Sequence, residues 1–143
     1  MQERSRSETV SRSFRLTSSL VETLQERAHE RGESANALAE RLIDEGLRRE
    51  QHPLIGFREG AAGRRAAIAG TRLDVWQVID TLRASSNSVA ETAAYFEIPE
   101  AWVQAAVRYY AAYQDEVDAF AARVKAAAER EHELWQRQQA VLG

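Results

Sequence analysis

The sequence predicts a mainly helical protein in three parts. Residues 1–50 read as a short strand followed by two helices, residues 51–113 as a β-hairpin leading into a helix-turn-helix-like domain, and residues 114–143 as a helical arm. Three observations predict this. Polar and apolar residues alternate from Thr9 to Leu16; apolar residues then recur at helical spacing in runs bounded by glycine and proline; and the stretch from Glu100 to Leu142 contains neither glycine nor proline.

Composition sets the frame. A chain of 143 residues suits one compact domain or two very small ones. With 44% hydrophobic and 29% charged residues there is no compositional reason to expect disorder. No apolar run approaches a membrane span, and Met1 to Val10 lack the apolar core of a secretory leader, so a cytoplasmic protein without membrane contact is expected. Cysteine is absent, which removes disulfides, thiolate metal sites and cysteine nucleophiles. His29, His52 and His132 have no metal-ligand spacing and read as surface or loop residues. Nothing resembles a nucleophile elbow or a phosphate loop, so no catalytic residue, metal or cofactor is expected and the protein is not read as an enzyme. A net charge of −3 argues against nucleic acid, but its distribution is uneven. Arg4, Arg6, Arg12 and Arg15 outnumber Glu3 and Glu8 at the start, whereas residues 114–143 are net acidic.

The first element is the strand. Val10, Phe14 and Leu16 fall on one parity, and Ser11, Ser13 and Arg15 on the other, as in a half-buried strand. Arg12 interrupts the apolar parity. Thr17-Ser18-Ser19 offers capping hydroxyls, and Ser19 with Glu22 predicts a capping box. Leu20, Val21, Leu24 and Ala28 share a helical face that Gly32 ends. Ser34 is placed to cap a second helix carrying Leu38, Ala39, Leu42, Ile43 and Leu47. One strand cannot make a sheet, so a partner chain must supply its neighbour.

This order resembles the ribbon-helix-helix repressors of the Arc, MetJ and CopG type, over residues Ser11 to Glu50. The Gly32-Glu33-Ser34-Ala35-Asn36 turn and the Phe14-Arg15-Leu16 strand end carry the match most specifically. The resemblance implies a homodimer whose paired strands enter the major groove. It implies base contacts from Ser11, Ser13 and Arg15, and phosphate contacts at the helix start from Ser34, Ala35 and Asn36. Arg12 departs from the pattern, because that position is often apolar. The alternative is a dimer core whose polar parity faces only solvent.

In the middle, Gln51-His52-Pro53 marks a boundary. Leu54 to Phe57, the turn Gly60-Ala61-Ala62-Gly63 and Arg64 to Ile68 predict a hairpin. Val75, Trp76, Val78, Ile79 and Leu82 define a helix, and Ser88 with Glu91 caps a second that buries Val89, Ala93 and Phe96. Pro99 opens a third, across a turn tight enough for a helix-turn-helix. The stretch from His52 to about Asp118 resembles a domain family of undefined function seen in bacterial VapB-like antitoxins. The resemblance rests on His52-Pro53-Leu54-Ile55, Gly70-Thr71-Arg72 with Val75-Trp76, Ser88-Val89-Ala90-Glu91 and Ala106-Val107-Arg108-Tyr109-Tyr110. Arg64, Arg65, Arg72, Gln104 and Arg108 form a second surface, facing DNA, a protein or solvent.

The last region follows a seven-residue register of Val103, Ala106, Tyr110, Tyr113, Val117, Phe120, Val124, Ala127, Glu131, Leu134, Gln138 and Val141, which predicts a partner along the seam. A break near Gln114-Asp115 would separate the arm from the preceding helix. Phe120, Val124, Leu134 and Trp135 are candidate contacts. In VapB-like antitoxins a basic side chain from such an arm approaches the acidic, metal-binding site of a PIN-type ribonuclease toxin. The resemblance thus implies Arg123, Arg130 or Arg137 for that role, and no motif selects among them. The alternative is a self-paired coiled coil.

Three functions follow as expectations. The first is an antitoxin that neutralises a PIN-like toxin and represses its own operon by binding operator DNA. The second is a free-standing repressor whose C-terminal half only oligomerises. The third is a protein-interaction scaffold without a DNA role.

Overall fold

The computed structural model describes residues 8–143; Arg4 and Arg6 of the basic start lie outside the described residues. The chain divides into two compact units, residues 1–44 and 45–143. In the first unit, α1 (Ser18–Arg31) begins at Thr17, whose extended backbone (φ −65°, ψ 150°) lets its Oγ1 accept from Leu20 N at 3.3 Å. The cap is therefore Thr17, where Ser19 with Glu22 was expected. A hydroxyl caps best from an extended residue just outside the helix, and Ser19 already lies within α1. Gly32 ends α1 in the left-handed region (φ 67°), and Ser34 Oγ accepts from Ala37 N at 3.1 Å to open α2 (Ala35–Gln51), which runs across the unit boundary.

Residues 8–17 form no strand, so among the described residues helices come first and the expected strand-helix-helix start is absent. A strand exists through the ladder it shares, and nothing described in one chain pairs with this segment. Ala28 and Leu38 are buried in this unit, while Val10, Phe14, Leu16, Leu20, Leu42 and Ile43 stay exposed.

The second unit starts with the hairpin. β1 (Ile55–Arg58) and β2 (Arg65–Ile68) pair antiparallel with Ile55 opposite Ile68 and Arg58 opposite Arg65. Gly60 and Gly63 exchange backbone hydrogen bonds of 3.2 and 2.9 Å across the turn, and Gly63 takes a φ of 113° that side chains disfavour. Leu54 and Arg64, read as strand ends, fall just outside the ladder. Asp74 then opens α3 (Val75–Ala84), with Gln77 Oε1 accepting from the Asp74 amide at 2.9 Å. Ser88 caps α4 (Val89–Phe96) through a 3.1 Å bond from Glu91 N. Pro99 sits just outside α5 (Glu100–Ala112) as its cap, one residue earlier than a first helical turn.

α5 is the central post, packing on α3, α4, α6 and both strands. Its Val103, Ala106 and Tyr109 meet Ile55, Ile68, Val75, Val78, Ile79, Ala93 and Val117 in the core. Tyr113 (φ −132°, ψ 40°) breaks the helix, close to the expected position, and α6 (Gln114–Leu142) follows. At 1.5 Å per residue α6 is about 43 Å long. Val117 and Phe120 are buried, Val124 and Ala127 are half-buried, and everything from Ala128 onward is exposed. The seven-residue register thus splits: its first half is the domain's own core, where a partner helix was expected along its whole length. No helix among the described residues is long and apolar enough to cross a membrane.

Candidate functional site

The residues assigned to base contact, Ser11, Ser13 and Arg15, are all exposed in the segment ahead of α1. Paired as a strand, the segment would set them on one side and Val10, Phe14 and Leu16 on the other. Ser34 and Asn36 are exposed and Ala35 half-buried at the start of α2. The Ser34 hydroxyl is engaged as a cap, so a ligand there would meet backbone amides and the Asn36 side chain.

The arginines of the middle domain behave differently. Arg64 is held by Glu45 through a bidentate pair and by Glu59 at 3.4 Å. Its bond to Glu45 raises the Arg64 pKa above the ordinary value, against an opposing contribution from burial. Arg65 reaches Asp74 at 3.4 Å and the Gly63 carbonyl at 3.3 Å. Arg58 donates to Asp74 Oδ1 at 2.6 and 3.0 Å, and Trp76 Nε1 donates to Asp74 Oδ2 at 3.1 Å. Asp74 is therefore a buried carboxylate gathering two guanidiniums and an indole, and it fixes the hairpin against α3. Arg64 and Arg65, expected on a second surface, are tied inward, because unpaired arginines this close to the core would leave charge without solvent. Arg72 remains exposed.

A second polar cluster lies beneath α6. Tyr109 is fully buried, yet its hydroxyl accepts from Arg48 Nη1 at 2.8 Å and donates to Glu116 Oε2 at 3.2 Å. Burial, then the Glu116 charge, raises the Tyr109 pKa. Burial works against the Arg48 charge, but the bonds from Glu116 and Tyr109 outweigh it and raise its pKa. The Arg48 guanidinium also lies 4.0 Å over the Tyr113 ring.

His52, read as a surface or loop histidine, is buried, edge-on to Tyr109 at 5.3 Å and to Tyr113 at 6.0 Å. Pro53 ends α2, and the core beside it takes up the imidazole. Burial, with the charges of Arg108 and Arg48, lowers its pKa below 6.5. The unfolded chain then binds that proton more readily than the folded one, so stability falls as pH drops through about 6.5. The urea midpoint is expected to decline from pH 7 to pH 5 in the wild type and less steeply in His52→Gln; equal slopes would remove His52 from this effect.

Gln104 and Arg108 are both exposed, one turn apart on α5, and border a hollow with His52 and Leu54. The outward face of this second helix of the helix-turn-helix pair carries a single arginine, a thin footprint for DNA. Among the candidates on α6, Phe120 is buried, with the Arg65 and Arg123 guanidiniums 5.8 and 5.3 Å from its ring, so it belongs to the domain and not to a free arm. Val124 is half-buried. Arg130, Leu134, Trp135 and Arg137 are exposed, and Arg137 makes a 3.9 Å pair with Glu133.

Asp74, Tyr109 and Glu116 were missed by sequence reasoning. Asp74 had a signal, since an aspartate followed three residues later by glutamine at a helix start is a capping pattern. Tyr109 and Glu116 are brought together only by the break at Tyr113. No group of three or more histidine or acidic residues suited to a metal occurs among the described residues.

Searches of the curated proteins and of the solved structures gave no match to the chain. Residues 55–110, from the first hairpin strand to near the end of α5, match the model of a family described as a protein of unknown function, DUF433.

Proposed function

We propose that the chain is an antitoxin: a dimeric ribbon-helix-helix DNA binder that represses its own operon and captures a PIN-like nuclease toxin with its C-terminal arm. The observation that carries the DNA reading is the first unit's exposed apolar set. Val10, Phe14 and Leu16 are 75%, 65% and 49% exposed in one chain, beside a polar alternation of Ser11, Ser13 and Arg15. A small protein does not leave such a row in water, and pairing two copies of the segment would bury it while turning hydroxyls and a guanidinium outward.

The arm is supported by its surface chemistry. Apolar pairs recur every seven residues, at Phe120-Ala121, Ala127-Ala128, Leu134-Trp135 and Val141-Leu142. Self-pairing suits this stripe poorly. A parallel pair would set Glu131 against its copy in the seam, and an antiparallel pair would set the row of Arg123, Arg130 and Arg137 against itself. A partner of different sequence with an acidic rim suits it better, and this favours the antitoxin over a repressor that only oligomerises.

Arg15→Ala is expected to weaken specific operator binding by about 1–3 kcal/mol, as read by titration of the protein's own upstream DNA. Unchanged affinity would remove the ribbon from DNA recognition. For the arm, the informative truncation falls after Ala127, because cutting at Tyr113 would strip Val117 and Phe120 from the core. The shortened chain is expected to keep its fold and DNA affinity and to lose co-purification with a nuclease encoded beside its gene. Full retention of that complex would refute the role given to the arm.

A further inference from the structure

The hollow beside α5 has a composition unlike the rest of the middle domain. Its floor is apolar, formed by Pro53, Leu54, Ala101 and Ala105, and its polar lining is Gln51, His52, Gln104 and Arg108. No acidic residue among the described residues lines it. Arg48, Arg58, Arg64 and Arg65 are each tied to a carboxylate, whereas Arg108 makes no hydrogen bond or ion pair among the described residues. The positive field extends to the wall, where the Arg108 and Arg48 charges add to burial in disfavouring a proton on His52. The hollow's volume of about 310 Å³ suits one or two side chains.

We propose that this hollow is a binding site for an acidic peptide segment. The Arg108 guanidinium takes a glutamate or aspartate carboxylate as a paired hydrogen bond, Gln104 donates to it or to the adjoining backbone, and the apolar floor takes a neighbouring aliphatic side chain. The apolar floor favours this over nucleic acid, and so does the single cation. A duplex is held by several phosphate contacts across a basic surface, and hydrocarbon beneath a sugar-phosphate chain contributes nothing to them.

His52 makes the site readable. A carboxylate bound at Arg108 offsets part of the positive field, so occupancy raises the His52 pKa. Two other groups face the imidazole, the Tyr109 ring from α5 and the Tyr113 ring from the helix break.

The test follows the imidazole and amide NMR signals of the full chain, with no other protein present, so that its outcome is independent of the antitoxin reading. The probes are acetyl-Leu-Glu-Leu-amide, its glutamine counterpart, inorganic phosphate and a short DNA duplex. The glutamate peptide is expected to move the Leu54, Gln104 and Arg108 signals and to raise the His52 pKa. The glutamine peptide is expected to bind at least about tenfold more weakly, the loss typical of one charge-assisted bond. Arg108→Gln is expected to abolish the response while leaving the other signals in place. Equal responses to the two peptides, or none to either, would overturn the proposal. A response at these residues to DNA alone would overturn it in favour of a nucleic-acid surface.

Discussion

Replacing Asp74 by alanine is expected to lower the unfolding free energy by about 3 kcal/mol, near the lower end for breaking a buried ion pair. The carboxylate is only 7% exposed, while the side chains of its partners Arg58 and Arg65 are 30% and 18% exposed. Without Asp74 both guanidiniums lose their counter-charge and the Trp76 indole loses its acceptor. Partial access to water lets the arginines recover some solvation, which keeps the loss from being larger. Asp74→Asn retains the shape and the indole bond and should cost about half as much. The denaturant midpoint measures both. An alanine variant within about 0.5 kcal/mol of the wild type, the range of ordinary surface substitutions, would show that the network contributes nothing to stability.

Tyr109→Ala is expected to cost more, about 4 kcal/mol, because it opens a cavity where α5 meets the hairpin and the break into α6. The ring packs edge-on to His52 and Phe57 and tilts onto Tyr113 at 4.7 Å. Tyr109→Phe separates packing from polarity. Arg48 still reaches Glu116 directly at 2.8 Å, so removing the hydroxyl leaves neither charge unpaired and should cost about 1 kcal/mol. A phenylalanine variant as unstable as the alanine one would place the energy in the hydroxyl bridge instead of the ring.

Much of the architecture was legible because local physics decides it. Gly32, Ser34 and Ser88 hold the positions their backbone and capping chemistry require, and the glycine-rich turn between Phe57 and Arg65 closes a hairpin of nearly the predicted extent. What sequence could not assign is where a pattern finds its partner. The seven-residue register was correct as a stripe. It carries no mark of the point at which Val117 and Phe120 stop serving their own domain and Leu134 and Trp135 begin to face outward. The expected N-terminal strand has the same difficulty in reverse, since its alternation is present and its ladder needs a second strand. At the candidate surfaces, Arg64 and Arg65 looked available until Glu45 and Asp74, distant in sequence or unremarked, were seen to hold them. His52 could not be placed inside from sequence because the tyrosines that enclose it lie far along the chain, on α5 and at the helix break.

The inward pairing of Arg58, Arg64 and Arg65 also bears on how salt should affect any DNA complex of this chain. Counterions leave a duplex in proportion to the cations that replace them at its phosphates. Guanidiniums already satisfied by Asp74, Glu45 and Glu59 displace none, so the middle domain's share of the slope of affinity against ionic strength falls to exposed arginines such as Arg72 and Arg108. In the proposed complex the rest of that slope would come from the N-terminal segment, and so few cations would leave affinity only weakly dependent on ionic strength.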